Sequence, residues 1–303
     1  MTVITAANER PLFFSSGDEM SFGIITEPEA PRGIAVISLA GAVHVPSANR
    51  NRIWVRLNRT LAADGFHALR FEYAGTGESS GPGTPFERDK PRTNDLLGAV
   101  AFLREQGLDR FVLVGTCFGA LTALLTAPQI EGVEKIVLLS PLILDSKSYA
   151  QLATETSVTS YVRKALRPRT ITGAFRSASR ASYKKIARAK IEALRDGGET
   201  TPDGLAPLPV SPRVMAAIRS LVDRGTPTTI AFGSEDAHYE DWRRATRGRL
   251  GRLIESADNI DVVVLPGYLH SFPQLSVQDE VVDLVSTRVT YAFGGAPSLS
   301  TSS

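Results

Sequence analysis

The sequence predicts an α/β fold built on a mostly parallel, doubly wound sheet. Three observations lead there. Short apolar runs alternate with stretches of helical periodicity along most of the chain. Near the middle, Phe111-Val-Leu-Val passes through Gly115-Thr-Cys-Phe-Gly119 into Ala120-Leu-Thr-Ala-Leu-Leu, which reads as a buried strand, a tight turn and a helix. One segment, 146–224, has no convincing strand and only helix-like stretches joined by Pro- and Gly-bearing links. An insertion there lies over the carboxyl ends of the strands, where open α/β sheets bind ligands, and it reads as a helical lid.

In chain order, Leu12–Ser15 and Ser21–Thr26 flank Ser16-Gly17-Asp18-Glu19 and predict an antiparallel hairpin at one sheet edge. Ile34–Leu39 is a buried strand, followed by Ala40-Gly41-Ala42 and a polar loop with His44. Arg52–Asp64 has helical spacing and stops at Gly65. His67–Tyr73 is the next strand, running into a glycine-rich turn at Gly75–Gly81. Thr93–Arg104 predicts an amphipathic helix ended by Gly107. After the central strand and helix come strands at Val133–Leu139, Thr226–Phe232 and Ile260–Leu265, with helical patterns over Tyr239–Ala257 and Gln278–Tyr291. These assign 1–145 and 225–293 to the core, 146–224 to the lid and 294–303 to a small, polar, disordered tail.

With 303 residues the chain can bury a large core. A formal charge of +2 gives no global argument for nucleic acid. A single cysteine rules out an intrachain disulfide and fits a reducing compartment. The N-terminus has no signal-peptide pattern, and no stretch approaches the ~20 apolar residues of a membrane span, so the expectation is a soluble cytoplasmic protein.

The small-x-nucleophile-x-small pattern at Gly115–Gly119 is that of a nucleophile elbow with cysteine in place of serine. Side chains at Gly115 or Gly119 would collide with the neighbouring strand or helix. The turn lifts Cys117 above the sheet edge at a helix N-terminus, whose positive dipole end is expected to lower the thiol pKa.

The order of these pieces resembles the α/β-hydrolase superfamily over about residues 12–293. Phe71-Glu-Tyr-Ala-Gly-Thr-Gly-Glu-Ser79 looks like that family's loop after the fourth strand, with Glu72 where aspartate is usual. Phe232-Gly-Ser-Glu-Asp236 looks like the strand end that carries the acidic member of the triad, and Pro266-Gly-Tyr-Leu-His-Ser-Phe272 like the loop that carries the histidine. The order nucleophile, acid, histidine agrees with the family's.

The resemblance implies roles. Cys117 attacks an acyl carbonyl and His270 serves as its base. Asp236 fixes the imidazole tautomer, and the N–H groups of Phe118 and Ala42 hold the oxyanion. For the acid, Glu235 and Asp241 are neighbours of Asp236, and Asp145 stands where some relatives carry theirs. His44 and His238 are candidate binding residues near the same sheet face, and His67, opening a strand, reads as structural. Gly75 and Gly77 read as turn glycines, since G-x-G-x-x-G is absent and no dinucleotide role follows. Arg50 and Arg52 follow the oxyanion loop and either meet a substrate carboxylate or open the helix. No cofactor or metal is expected.

Cysteine favours chemistry through an S-acyl intermediate, because exchange with a thioester is nearly thermoneutral and keeps the acyl group activated. The expected activity is therefore a thioesterase or acyltransferase, with natural-product biosynthesis one setting. Alternatives are a cyclase similar to cysteine-dependent Dieckmann cyclases, a dienelactone-type hydrolase, an acyl-eliminating lyase, or a non-catalytic binding protein on the same fold. Between Ser146 and Asp196 twelve Lys and Arg face three acids, +9 in a chain of +2. A lid so basic either attracts an anionic partner, such as coenzyme A or an acyl carrier protein, or is a solvated helix face. Aromatic interleaving there is too thin for nucleic acid.

Overall fold

The computed structural model describes residues 8–83, 85–149 and 208–294. Its eight strands are β1 (Asn8–Ser16), β2 (Glu19–Glu27), β3 (Ile34–Leu39), β4 (His67–Phe71), β5 (Arg110–Thr116), β6 (Val133–Leu139), β7 (Thr228–Gly233) and β8 (Ile260–Leu265). They form one sheet in the order β1-β2-β4-β3-β5-β6-β7-β8. Pairing is antiparallel for β1/β2 and β2/β4 and parallel from β4 to β8.

Alternation along the central strands fills both faces. Ala35, Ile37 and Leu39 of β3 enter one apolar cluster, while Ile34 and Val36 enter the other. Helices α1 (Ile53–Ala63) and α7 (Leu275–Ala292) cover one face through Trp54, Leu57, Val281 and Val285. The other face is covered by α2 (Thr93–Glu105), α3 (Phe118–Thr126), α4 (Pro212–Asp223), α5 (Ala237–Ala245) and α6 (Arg249–Glu255). α3 is apolar almost all round and buried, as expected of a helix sealed between sheet and neighbours.

Four differences from the expectations have physical reasons. The edge hairpin is longer, because pairing runs unbroken from Asn8 opposite Glu27 to Ser16 opposite Glu19. β4 ends at Phe71, and Tyr73 leaves the sheet to donate its hydroxyl to the Ala40 carbonyl at 3.0 Å. The single helix expected over Tyr239–Ala257 is two. Gly248 takes a non-helical conformation (φ −113, ψ −143), and Gly251 lies against Thr246, where a Cβ would fall 1.7 Å from the Thr246 oxygen. Finally, α4 lies within the 146–224 stretch assigned to the lid but buries Val214, Ala217, Ile218 and Leu221 in the main core. It lies between β6 and β7 in the chain. The remainder of that stretch, 150–207, and the tail from 295 lie outside the described residues.

Candidate active site

β5 ends at Thr116 and α3 begins at Phe118, so the whole change of direction falls on Cys117 (φ 50, ψ −111). A non-glycine residue at such a φ is strained and persists only where its surroundings enforce it. Two bare glycines do so. A Cβ on Gly115 would fall 2.5 Å from the Gly119 backbone, and one on Gly119 would fall 2.4 Å from the Leu39 oxygen. The Cys117 N–H donates to the Leu139 carbonyl at 2.8 Å, and its side chain is half-buried.

Facing it, His270 Nε2 stands 3.2 Å from Cys117 Sγ. Its loop is anchored behind the ring. Phe272 (φ 49) is buried against Trp54 edge to face, and its carbonyl accepts from Gln278 Nε2 at 2.9 Å. Asp236, which caps α5 just after β7, is 4% exposed. Its carboxylate accepts from Ser140 Oγ at 2.6 Å, Gly233 N at 2.9 Å, Leu269 N at 3.1 Å and His270 N at 3.0 and 3.1 Å. Those bonds fix the backbone of the histidine loop. Among the described residues Asp236 has no hydrogen bond from the imidazole itself, so it acts here on the loop where tautomer control was expected.

The electrostatics also differ from expectation. Burial pushes the Cys117 thiol up to about 11, against the smaller opposing pulls of the Phe118 backbone and Arg88. The dipole end of α3 does not overcome that desolvation, and a lowered thiol is not what the site holds. Loss of hydration around the ring lowers the His270 pKa, opposed by Asp236, even though the residue as a whole is exposed. The resting pair is thus a thiol facing a neutral imidazole, with its lone pair available to take a proton.

Of the expected oxyanion donors, the Phe118 N–H donates to the Gly41 carbonyl at 3.3 Å. A trans peptide points its C=O and N–H in opposite directions. The peptide before Ala42 therefore presents oxygen, not its N–H, to Phe118. A hole made of Phe118 and Ala42 forms only when that peptide turns over.

The other candidates separate cleanly. Asp145 accepts from Ser148 N at 2.7 Å, which lowers its pKa, and its carboxylate is held within its own turn. It lines a cleft of about 390 Å³ one turn along α3, with Arg88, Leu121, Leu125, Leu144 and Lys147. Glu235 and His44 are exposed, and burial raises the Asp241 pKa. His67 stands half-buried at the start of β4. Arg50 and Arg52 are exposed in a short 3₁₀ turn ahead of α1. Gly75 (φ +79) and Gly77 (φ +55) serve a turn, and the Glu72 carboxylate fills the space beside Gly77 to accept from Glu78 N at 2.9 Å. His238 does reach the site. Its ring meets His270 edge to face with centroids 4.5 Å apart. Sequence reasoning missed Ser140 and Arg88. Ser140 has φ 45, an unusual value that no motif around it signals. Arg88 acts on Cys117 from a loop with no periodic pattern.

Residues 39–284 match the model of the alpha/beta hydrolase family. The chain belongs to that family. Solved structures agree on the fold. An esterase of Pyrococcus furiosus has 15% identity and a TM-score of 0.59, with 95% of this chain and 91% of that one covered. The haloalkane dehalogenase DatA of Agrobacterium tumefaciens has 14% identity and a TM-score of 0.57, with 96% and 100% covered. A proline iminopeptidase of Mycobacterium smegmatis has 15% identity and a TM-score of 0.54, with 94% and 99% covered. No curated protein matches by sequence. Among the described residues no helix is long and apolar enough to cross a membrane.

Proposed function

We propose that this family member is a cysteine-dependent hydrolase or acyltransferase acting on a thioester or ester. The observation that carries the reading is His270 Nε2 at 3.2 Å from the Sγ of a strained, positive-φ Cys117. Because the thiol rests protonated, His270 takes its proton as Sγ attacks the acyl carbon. The S–C bond forms, the carbonyl electrons move to oxygen, and collapse expels the leaving group, which receives the proton from His270. The S-acyl group then passes to water or another acceptor deprotonated by the same imidazole. Asp236 contributes by holding the His270 backbone, and Phe118 N–H with Ala42 N–H receives the oxyanion once the 41–42 peptide has turned. Each such donor is worth roughly 3 kcal/mol of barrier in acyl transfer.

The neighbouring cleft fits an acyl chain against Leu121, Leu125 and Leu144, with Arg88 and Lys147 at hand for an anionic carrier such as coenzyme A or an acyl carrier protein. Most of the basic residues counted between 146 and 196 lie outside the described residues. The experiment is intact-mass spectrometry after brief incubation with a panel of acyl thioesters. An acyl adduct lost in Cys117→Ala supports the reading, and the chain length that accumulates names the substrate class. A second reading, a binding protein without turnover, is favoured by the Gly41 carbonyl on Phe118 N–H, and the absence of any adduct supports it.

A further inference from the structure

Acyl transfer needs one histidine at the nucleophile, and this site has two. Sγ of Cys117 and one ring nitrogen from each of His238 and His270 all lie within 4.8 Å of one another. In a tetrahedral zinc site, with Zn–S near 2.3 Å and Zn–N near 2.0–2.1 Å, ligand atoms stand roughly 3.3–3.6 Å apart. The Cys117–His270 distance of 3.2 Å is already close to that spacing, and the edge-to-face packing of the rings brings His238 in from the side.

His238 carries the second observation. Its Nδ1 is buried with no hydrogen-bond partner among the described residues. A buried imidazole nitrogen without a partner, set beside a thiol and a second imidazole, is a lone pair placed where a metal ion can take it. A buried acceptor without a donor is otherwise a cost to the fold with no return.

We propose that Cys117, His238 and His270 form a three-ligand site for Zn²⁺ with its fourth position open, and that occupancy silences the nucleophile. The proposal uses the side chains of the reading above but not its reaction. Thiolate and imidazole donors are those that suit zinc. The Cys117 S–H bond breaks, its proton leaves to solvent and sulfur bonds the metal.

The test titrates the full chain, stripped with chelator, with Co²⁺ as spectroscopic probe and then with Zn²⁺ in competition. Expected are one Co²⁺ per chain and a thiolate-to-cobalt charge-transfer band with the strong visible bands of tetrahedral cobalt. Cys117→Ala removes the charge-transfer band. His238→Ala removes a ligand and weakens both metals by more than about 100-fold, since 10–100-fold is already lost when only a ligand's outer partner is removed. His44→Ala, exposed and outside the cluster, leaves affinity unchanged. Absence of the charge-transfer band in the unmutated chain, or equal affinity in a folded His238→Ala, overturns the site; the first measurement stands even where that variant fails to fold. Acylation of metal-free protein is scored separately. An adduct without a cobalt spectrum sinks only the metal site, and a spectrum without an adduct sinks only the acyl-transfer reading.

Discussion

Ser140, at the end of β6, donates its hydroxyl to the Asp236 carboxylate, at the end of β7, at 2.6 Å. Both residues are buried, and Ser140 holds φ 45 to make the contact. A bond to a buried carboxylate contributes about 1.5–3 kcal/mol. Ser140→Ala is expected to lower Tm by about 3–12 °C, at the 2–4 °C per kcal/mol typical of somewhat shorter chains. It also slows turnover, because the His270 loop hangs from the same carboxylate. Differential scanning calorimetry beside steady-state kinetics measures both.

Asp236→Asn places an amide among four donors, one hydroxyl and three backbone N–H groups, that all need an acceptor. The expected cost is about 3–5 kcal/mol, as for removing one partner from a buried charged network. Asp145→Asn, whose bonds lie within its own turn, should retain activity. A ranking of the two variants in the opposite order would move the acid of this site to Asp145.

Gly77 and Glu72 are coupled by shape. A Cβ at 77 would lie 1.9 Å from Glu72 Oε2. Gly77→Ala is expected to cost several kcal/mol, from the clash and from φ +55 together. Adding Glu72→Asp, one methylene shorter, removes the clash but not the φ strain. The double variant should therefore regain all but about 1–2 kcal/mol in a urea denaturation series.

Stability should fall on acidification from about pH 6.5 to about 4. His238 is held neutral by burial, down to a pKa of about 4. Between that value and the ordinary 6.5 the unfolded chain binds a proton that the folded chain does not, so stability rises with pH across the window and is lowest beneath it. His238 supplies on the order of 3 kcal/mol of the change across this window, and His270, shifted the same way, adds to it. His238→Gln should flatten the profile measured by chemical denaturation.

Alkylation of Cys117 should titrate well above an ordinary thiol's ~8.5, since burial raises it to about 11. In contrast, kcat/KM should rise through the lowered His270 value and be level at neutral pH, because the imidazole is the group that must be free. A reactivity midpoint below 7 would show a resting thiolate and remove the general-base account.

Much of this was legible in the residues. The strand-turn-helix at Cys117 is local, and its glycines are dictated by contacts a few residues away, so the pattern exposed it. His270 and Asp236 were singled out by the likeness of their loops to the family's, and the structure sets His270 against Cys117 and Asp236 against the His270 backbone. What escaped was what depends on side-chain and peptide direction. Nothing in the sequence says that Asp236 aims at N–H groups, that the Gly41 carbonyl faces Phe118, or that burial outweighs a helix dipole at Cys117. The break between α5 and α6 escaped for a related reason, since helical periodicity continues across Gly248 while the backbone does not.

The Gly41–Phe118 bond has a consequence for assay design. Under the proposed acyl-transfer reading it makes the protein its own competitor for the oxyanion position, so a substrate would have to bring enough binding energy from its far end to displace an internal carbonyl before chemistry began. Short activated esters have no such far end. They are expected to report little turnover even on fully competent protein, and screening with them alone would pass over it.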